Sequence, residues 1–266
     1  MTKHCSGVLT LFCSVAVFVC QGQSRIDTDR PDQTESASTV PSHYLQAEWG
    51  FNRETVSGSQ VEWVHPTLLV KYGFRRWELR LETCTRSLGR SSGSSGKQVA
   101  LEPVELGFKL ALLEEKNWLP QTSLIVHLAV PQLASRIYRS QTWVPSARLA
   151  MQHGLTNNLG LGCNLGVNFD QPQAPPQWLY TFSPGMEFGK RWYAYMEAFG
   201  FIRRNEAPEH LLAAGLAYYL NKDWKLDLSG GFGISRAAAP NYLAIGFSFR
   251  VPVLKTHLAN SRTPER

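Results

Sequence analysis

From Tyr44 onward the chain alternates apolar and polar residues with a period of two, and turn-forming residues break the alternation at short intervals. Successive side chains of a strand point to opposite faces, so this period predicts strands. Leu45, Ala47, Trp49 and Phe51 share one face of the first segment; Gln46, Glu48 and Gly50 share the other. The same reading holds for residues 77–82, 104–110, 123–128, 159–169, 224–229 and 243–250. The stretch 101–115 invites a helix, but Pro103 and Gly107 interrupt it and the alternation there is cleaner than any 3.6-residue period. The predicted strands are 43–52, 61–72, 76–86, 102–112, 121–131, 142–153, 158–169, 178–188, 192–202, 210–220, 224–234 and 241–251.

The connections alternate in length as well. Longer ones are predicted at 52–60, 87–101, 131–141, 170–177, 203–209 and 235–240, and shorter ones near 73–75, 114–118, 154–157, 189–191 and 221–223. Every second connection of an antiparallel barrel lies at the same end, so the pattern predicts one end of long loops and one of tight turns. Long extracellular loops and short periplasmic turns are the outer-membrane arrangement. The fold class is therefore all-β, an antiparallel transmembrane barrel of about twelve strands.

The faces acquire meaning from this. The apolar face carries Trp49, Trp77, Phe108, Phe182, Phe188, Trp224, Phe247 and Phe249, several near strand ends where aromatic girdles meet head groups. The other face carries candidates for the lumen or permeation path: Glu48, Arg80, Glu82, Glu105, Lys109, His127, Arg148, Glu187, Glu197, Lys225, Asp227 and Arg250. Lys71 and Glu78 share that face. The signs are mixed and nearly balance, which favours pairing across strands over a selective pore.

The N-terminus reads as a secretory signal. Lys3 and His4 precede a dense apolar run over residues 8–19, and cleavage is expected near Gly22. Phe18 and Val19 stand where a lipoprotein signal ending on Cys20 would need small residues. Beyond the first two dozen residues, no apolar run approaches the roughly 18–20 residues of a spanning helix. Of the five cysteines only Cys84 and Cys163 outlast the signal, too few for a disulfide framework or a structural zinc site. The domains expected are a signal over 1–22, an acidic leader over 23–42, the barrel over 43–251 and a polar tail over 252–266. The formal charge is +6, but basic residues are scattered through turns and loops. That distribution suits anionic outer-membrane lipids and excludes a nucleic-acid stripe.

Two regions carry a family resemblance. Residues 26–36 read Ile-Asp-Thr-Asp-Arg-Pro-Asp-Gln-Thr-Glu-Ser, followed by Val40, Pro41 and an aromatic strand from Tyr44 to Phe51. The C-terminal third has Tyr193 to Glu197, Pro208 to His210, Gly215 to Tyr218, Asp227 to Gly233 and a last aromatic strand. The chain resembles the bacterial outer-membrane transporter-like family named for the meta-pathway of phenol degradation. The resemblance implies an outer-membrane barrel and uptake of small aromatic or hydrophobic solutes. Many outer-membrane barrels end on an aromatic residue that the insertion machinery reads; here the chain runs past Phe249 to Arg266.

The leader contributes the plug candidates Asp27, Asp29, Arg30, Asp32 and Glu35. They are expected either to insert into the charged lumen or to form a plain tether; a cation site on these carboxylates is a third reading. Catalytic candidates are weak. Ser123, His127 and Ser146 face one way on neighbouring strands without any motif, so no enzyme is expected. His43, His65, His127, His153 and His210 lack ligand spacing, and no helix follows Gly230–Gly233, so no metal or cofactor is expected. The function expected is a transporter or channel for a small solute. A structural or surface-interaction barrel is the alternative, and a lipid-modifying enzyme the remote one.

Overall fold

The computed structural model describes residues 25–57, 60–88, 98–169 and 174–253. The expected signal and nearly all of the expected tail lie outside them. The strands are β1 (Tyr44–Ser57), β2 (Gln60–Gly73), β3 (Trp77–Leu88), β4 (Gln98–Leu101), β5 (Val104–Leu113), β6 (Gln121–Val130) and β7 (Val144–Gly154). They continue with β8 (Leu159–Asn168), β9 (Gln177–Phe188), β10 (Trp192–Arg203), β11 (Glu209–Asn221), β12 (Trp224–Gly233) and β13 (Asn241–Pro252). Sequence neighbours pair antiparallel around the sheet, and β1 pairs with β13 from Tyr44↔Pro252 to Thr55↔Asn241. The result is a closed antiparallel barrel of twelve strands. The segments β4 and β5 count as one interrupted staff, because both pair with β3 and Pro103 lies between them without an N–H to donate.

Two expected loops are shorter than the alternation indicated. The connection placed at 52–60 is occupied by strand, since β1 runs to Ser57 and β2 starts at Gln60. Register shifts between Gly50 and Asn52 and between Val64 and Thr67 break the two-residue period there and hide the strand from a periodicity count. The connection placed at 87–101 contains β4.

The outer surface is apolar. Leu79, Leu106, Leu226, Leu228 and Ile245 are exposed on it. Aromatic contacts collect at the end with the tight turns: Trp77 stacks on Phe74 at 3.8 Å, Trp192 meets Tyr218 at 4.6 Å, and Trp224 meets Phe247 and Phe249 at 5.2 and 5.4 Å. Trp63, Trp178 and Phe232 are exposed toward the opposite rim. Two aromatic belts bounding an aliphatic band are what a barrel needs to sit in a bilayer. The interior is the reverse of a soluble core. Its most buried side chains include Lys71, Lys109, Gln46, Glu48, Glu78 and Asn164.

Candidate functional site

Residues 25–43 lie inside the barrel. Both ends of this leader are fixed at the tight-turn mouth: Ile26 donates its N–H to the Lys222 carbonyl (2.7 Å), and His43 donates to the Gly73 carbonyl (3.0 Å). Proline at 31 and 41 keeps the segment from regular strand pairing. Its backbone polar groups are met instead by wall side chains. Glu48 accepts from the Arg30 N–H (2.9 Å), Glu197 from the N–H groups of Gln33 (3.0 Å) and Thr34 (2.7 Å), and Glu78 from the Val40 N–H (2.6 Å). Asn164 accepts from the Glu35 N–H at 2.7 Å and donates to the Glu35 carbonyl at 3.0 Å. Lys225 donates to the Arg30 carbonyl (2.6 Å) and Ser123 to the Ala37 carbonyl (2.5 Å).

The charges interlock in the same way. The Asp29 carboxylate meets Lys71 at 2.8 Å, Arg80 at 2.8 Å and Lys109 at 3.1 Å, cations from three strands. Glu35 bridges Arg80 (2.7 Å) and Arg148 (3.0 Å). Arg30 reaches Asp227 at 3.2 Å and also donates to Thr67. Its guanidinium lies over paired glycines. Gly50 and Gly246 face each other across β1 and β13; a Cβ on Gly50 would come within 2.3 Å of the Arg30 Cζ, and one on Gly246 within 2.5 Å of its Nε. The two missing side chains make the room that Arg30 fills.

Other expected site residues sit apart from this core. Asp27 accepts from Ser36, Asp32 accepts from Ser183 (3.2 Å), and Glu187 pairs with Arg25 at the tight-turn mouth. Arg250 pairs with Asp223 at that mouth (2.8 Å). Glu82, Glu105 and His127 meet above the leader, toward the loop end, with one ligand atom of each within 4.8 Å of the others. Sequence spacing gave no sign of this group, because its members come from β3, β5 and β6. Its chemistry does not suit a metal. Arg80 donates through Nε to His127 Nε2 (3.0 Å), which leaves the ring proton on Nδ1, directed at Glu105 at 3.5 Å. No imidazole lone pair is then free. The catalytic candidates are likewise committed: Ser123 serves the leader, and His127 serves Arg80 and Glu105.

Two cavities flank the leader. One of about 520 Å3 opens at the tight-turn mouth and is lined by Gly160, Gly185, Tyr193 and Tyr219 among others. The other, of about 860 Å3, opens at the loop end. Phe199, Phe201, Leu211 and Tyr242 form an apolar wall on one side of the larger cavity, and Arg80, Glu82, Glu105, His127 and Arg148 a polar one. Arg30, Asp32 and Glu35 line both cavities and so form the partition between them.

Burial alone would raise the carboxyls of Asp29 and Glu35, but the cations around these two outweigh it, whereas Asp32, buried beside Glu197, is pushed well above the usual carboxylate range. Lys109, Lys71 and Arg80 hold Asp29 well below the usual carboxylate range, and Arg80 and Arg148 bring Glu35 to about 2. A depressed carboxyl stabilises the seated leader above its ordinary titration range, and that stabilisation is lost only as pH falls through the depressed value. A spin label at Gln33→Cys should therefore stay immobile from neutral pH down to about pH 4 and gain mobility only towards about pH 2. Mobilisation between about pH 6 and 4 would contradict the assignment.

The barrel, its aromatic belts and its polar interior define an outer-membrane β-barrel with an occupied lumen. Residues 28–251 match the family model described as "Putative MetA-pathway of phenol degradation", and the chain belongs to that family. Solved structures share the fold at low identity. The COG4313 outer membrane channel from Pseudomonas putida F1 matches with TM-score 0.61 and 11% identity, covering 81% of this chain and 98% of that one. The KdgM porin in complex with oligogalacturonate matches with TM-score 0.54 and 14% identity, covering 77% and 98%. The CymD monoaromatic hydrocarbon channel matches with TM-score 0.50 and 9% identity, covering 81% and 90%. No curated protein matches the chain by sequence. The tight-turn end, which holds both leader ends, corresponds to the periplasmic side of such barrels, and the loop end to the cell exterior.

Proposed function

We propose that the protein is an outer-membrane channel for small solutes and that residues 25–43 are its displaceable plug. The carrying observation is the partition: one short segment, tied to the wall by side chains, separates an exterior cavity from a periplasmic one. A purely structural barrel needs no cavities on both sides of such a segment. The Phe199–Tyr242 wall opposite the charged wall suits a solute with an apolar ring and one polar group, and the CymD name agrees with that class. Among the described residues Ser123 is committed to the leader and His127 to Arg80 and Glu105, which supports transport as the reading. In this reading residues 1–22 are removed on export, lipids contact the outer face, and the insertion machinery reads the aromatic strand ending near Phe249.

A reversible lock tests it. Thr34 and Thr181 hold their hydroxyl oxygens 2.7 Å apart, close enough for a disulfide between cysteines at the two positions. In planar bilayers the oxidised Thr34→Cys/Thr181→Cys protein should be silent, and reduction should bring discrete current steps. Silence in both states, with the barrel correctly folded, would favour the structural reading.

A further inference from the structure

In the lining of the exterior cavity acidic side chains outnumber basic ones. Around the leader the charges are held by ion pairs or by hydrogen bonds to the leader itself, as with Glu197 and Lys225. The arginines that line the exterior cavity among the described residues are all committed: Arg30 to Asp227, Arg80 to Asp29, Glu35 and Glu78, and Arg148 to Glu35. Above the leader the acids outnumber their partners. Glu82 and Glu209 line the exterior cavity with no cation at ion-pair distance among the described residues. Glu105 faces His127, whose ring is neutral because its Nε2 accepts from Arg80. Nearer the rim, Glu54, Glu62 and Glu102 share the single guanidinium of Arg86, at 2.7, 3.3 and 2.8 Å.

One register pair stands out. Glu82 and Glu105 lie directly opposite each other on β3 and β5. Two carboxyls so placed resist ionising together, so the pair counts as less than two full charges; Arg80 and Arg148 act on both through space, but among the described residues neither carboxyl makes an ion pair with a lysine or arginine. A water-filled cavity with low-dielectric walls focuses such a field and concentrates counter-ions in the opening. Rings of acidic side chains play this part in cation pathways.

We propose that the exterior cavity is a charge filter, admitting neutral and cationic solutes and holding back anions, with Glu82 and Glu105 as its specificity-determining residues. The inference deepens the channel reading and rests on it for its biological meaning, but its test needs no transport. Ser146 lines the cavity and stands opposite His127 in register. A cysteine there, in a chain with Cys84→Ser and Cys163→Ser, reports the local field through its reaction with methanethiosulfonates of positive or negative charge. Relative to a free thiol, the cationic reagent should react faster than the anionic one by on the order of tenfold. Adding Glu82→Gln and Glu105→Gln should bring that preference to about unity, while heat-modifiable migration shows the barrel intact. A preference at or below that of the free thiol, or one indifferent to the two substitutions, overturns the filter. An impermeable protein that still shows the preference fails the channel reading alone.

Discussion

Removing residues 26–36 behind an intact signal should raise the ion current through the reconstituted barrel at least severalfold. The leader contributes almost no backbone pairing to the wall; Glu48, Glu78, Asn164, Glu197 and Lys225 hold it by their side chains. Its attachment is favourable because a segment tethered just before β1 has a high effective concentration at the mouth. Loss of the segment leaves Lys71, Arg80 and Lys109 without Asp29, and a buried pair stripped of one partner costs about 3–5 kcal/mol when water cannot replace it. Here water can replace it, because the emptied lumen floods. The twelve-stranded ladder closes through β1 and β13 without the leader, so insertion should persist. Single-channel recording checks the current and heat-modifiable migration the fold. A deletion protein that folds and conducts like the parent would reduce the leader to a tether.

The second large effect concerns the lipid face. Leu228 is 48% exposed on the outer surface, midway along β12 between Trp224 at the periplasmic belt and Phe232 near the other rim. Arginine at a bilayer midplane costs about 2–4 kcal/mol in a barrel. Leu228→Arg should therefore lower barrel stability by that amount in a denaturant titration in bilayers, with Leu226→Arg costing less because it lies nearer the interface. Lys225→Gln, on the inner face, should leave insertion intact and loosen the leader at the Arg30 carbonyl. Equal losses in all three would mean the faces are exchanged.

Much of the wall was legible in the sequence, because alternation reports directly on which side a residue faces. On β8 and β12 nothing disturbs the period. It failed where the backbone departs from that period, at the bulges near Gly50 and Val64 and at the break before Pro103. The candidate site was legible only as a composition of charges. That Asp29 gathers Lys71, Arg80 and Lys109 follows from the register of three strands, and no local pattern encodes that register. The same holds for Glu82 opposite Glu105. Gln46, Asn164 and Thr34 carry no charge and so do not stand out as site candidates in the sequence, although each completes the leader's hydrogen bonds. Gly50 and Gly246 read as ordinary strand glycines; only the guanidinium lying across them shows what their missing side chains are for.

Both ends of the leader leave by the same mouth, and this bears on how the molecule is assembled. A segment that passed through the barrel from end to end would have to be in place before β1 met β13, or be threaded afterwards. A segment that enters and returns by one opening is a loop pushed into a cup. It can fill a barrel that has already closed, and it can come out without any strand parting. The same geometry decides the response to mechanical force. A pull on Arg25 from the periplasm loads the contacts of Ile26, Thr28 and Arg30 before those of Glu35 and Val40, so the bonds give way in sequence, like a zip. Sequential rupture needs far less force than breaking the same contacts together.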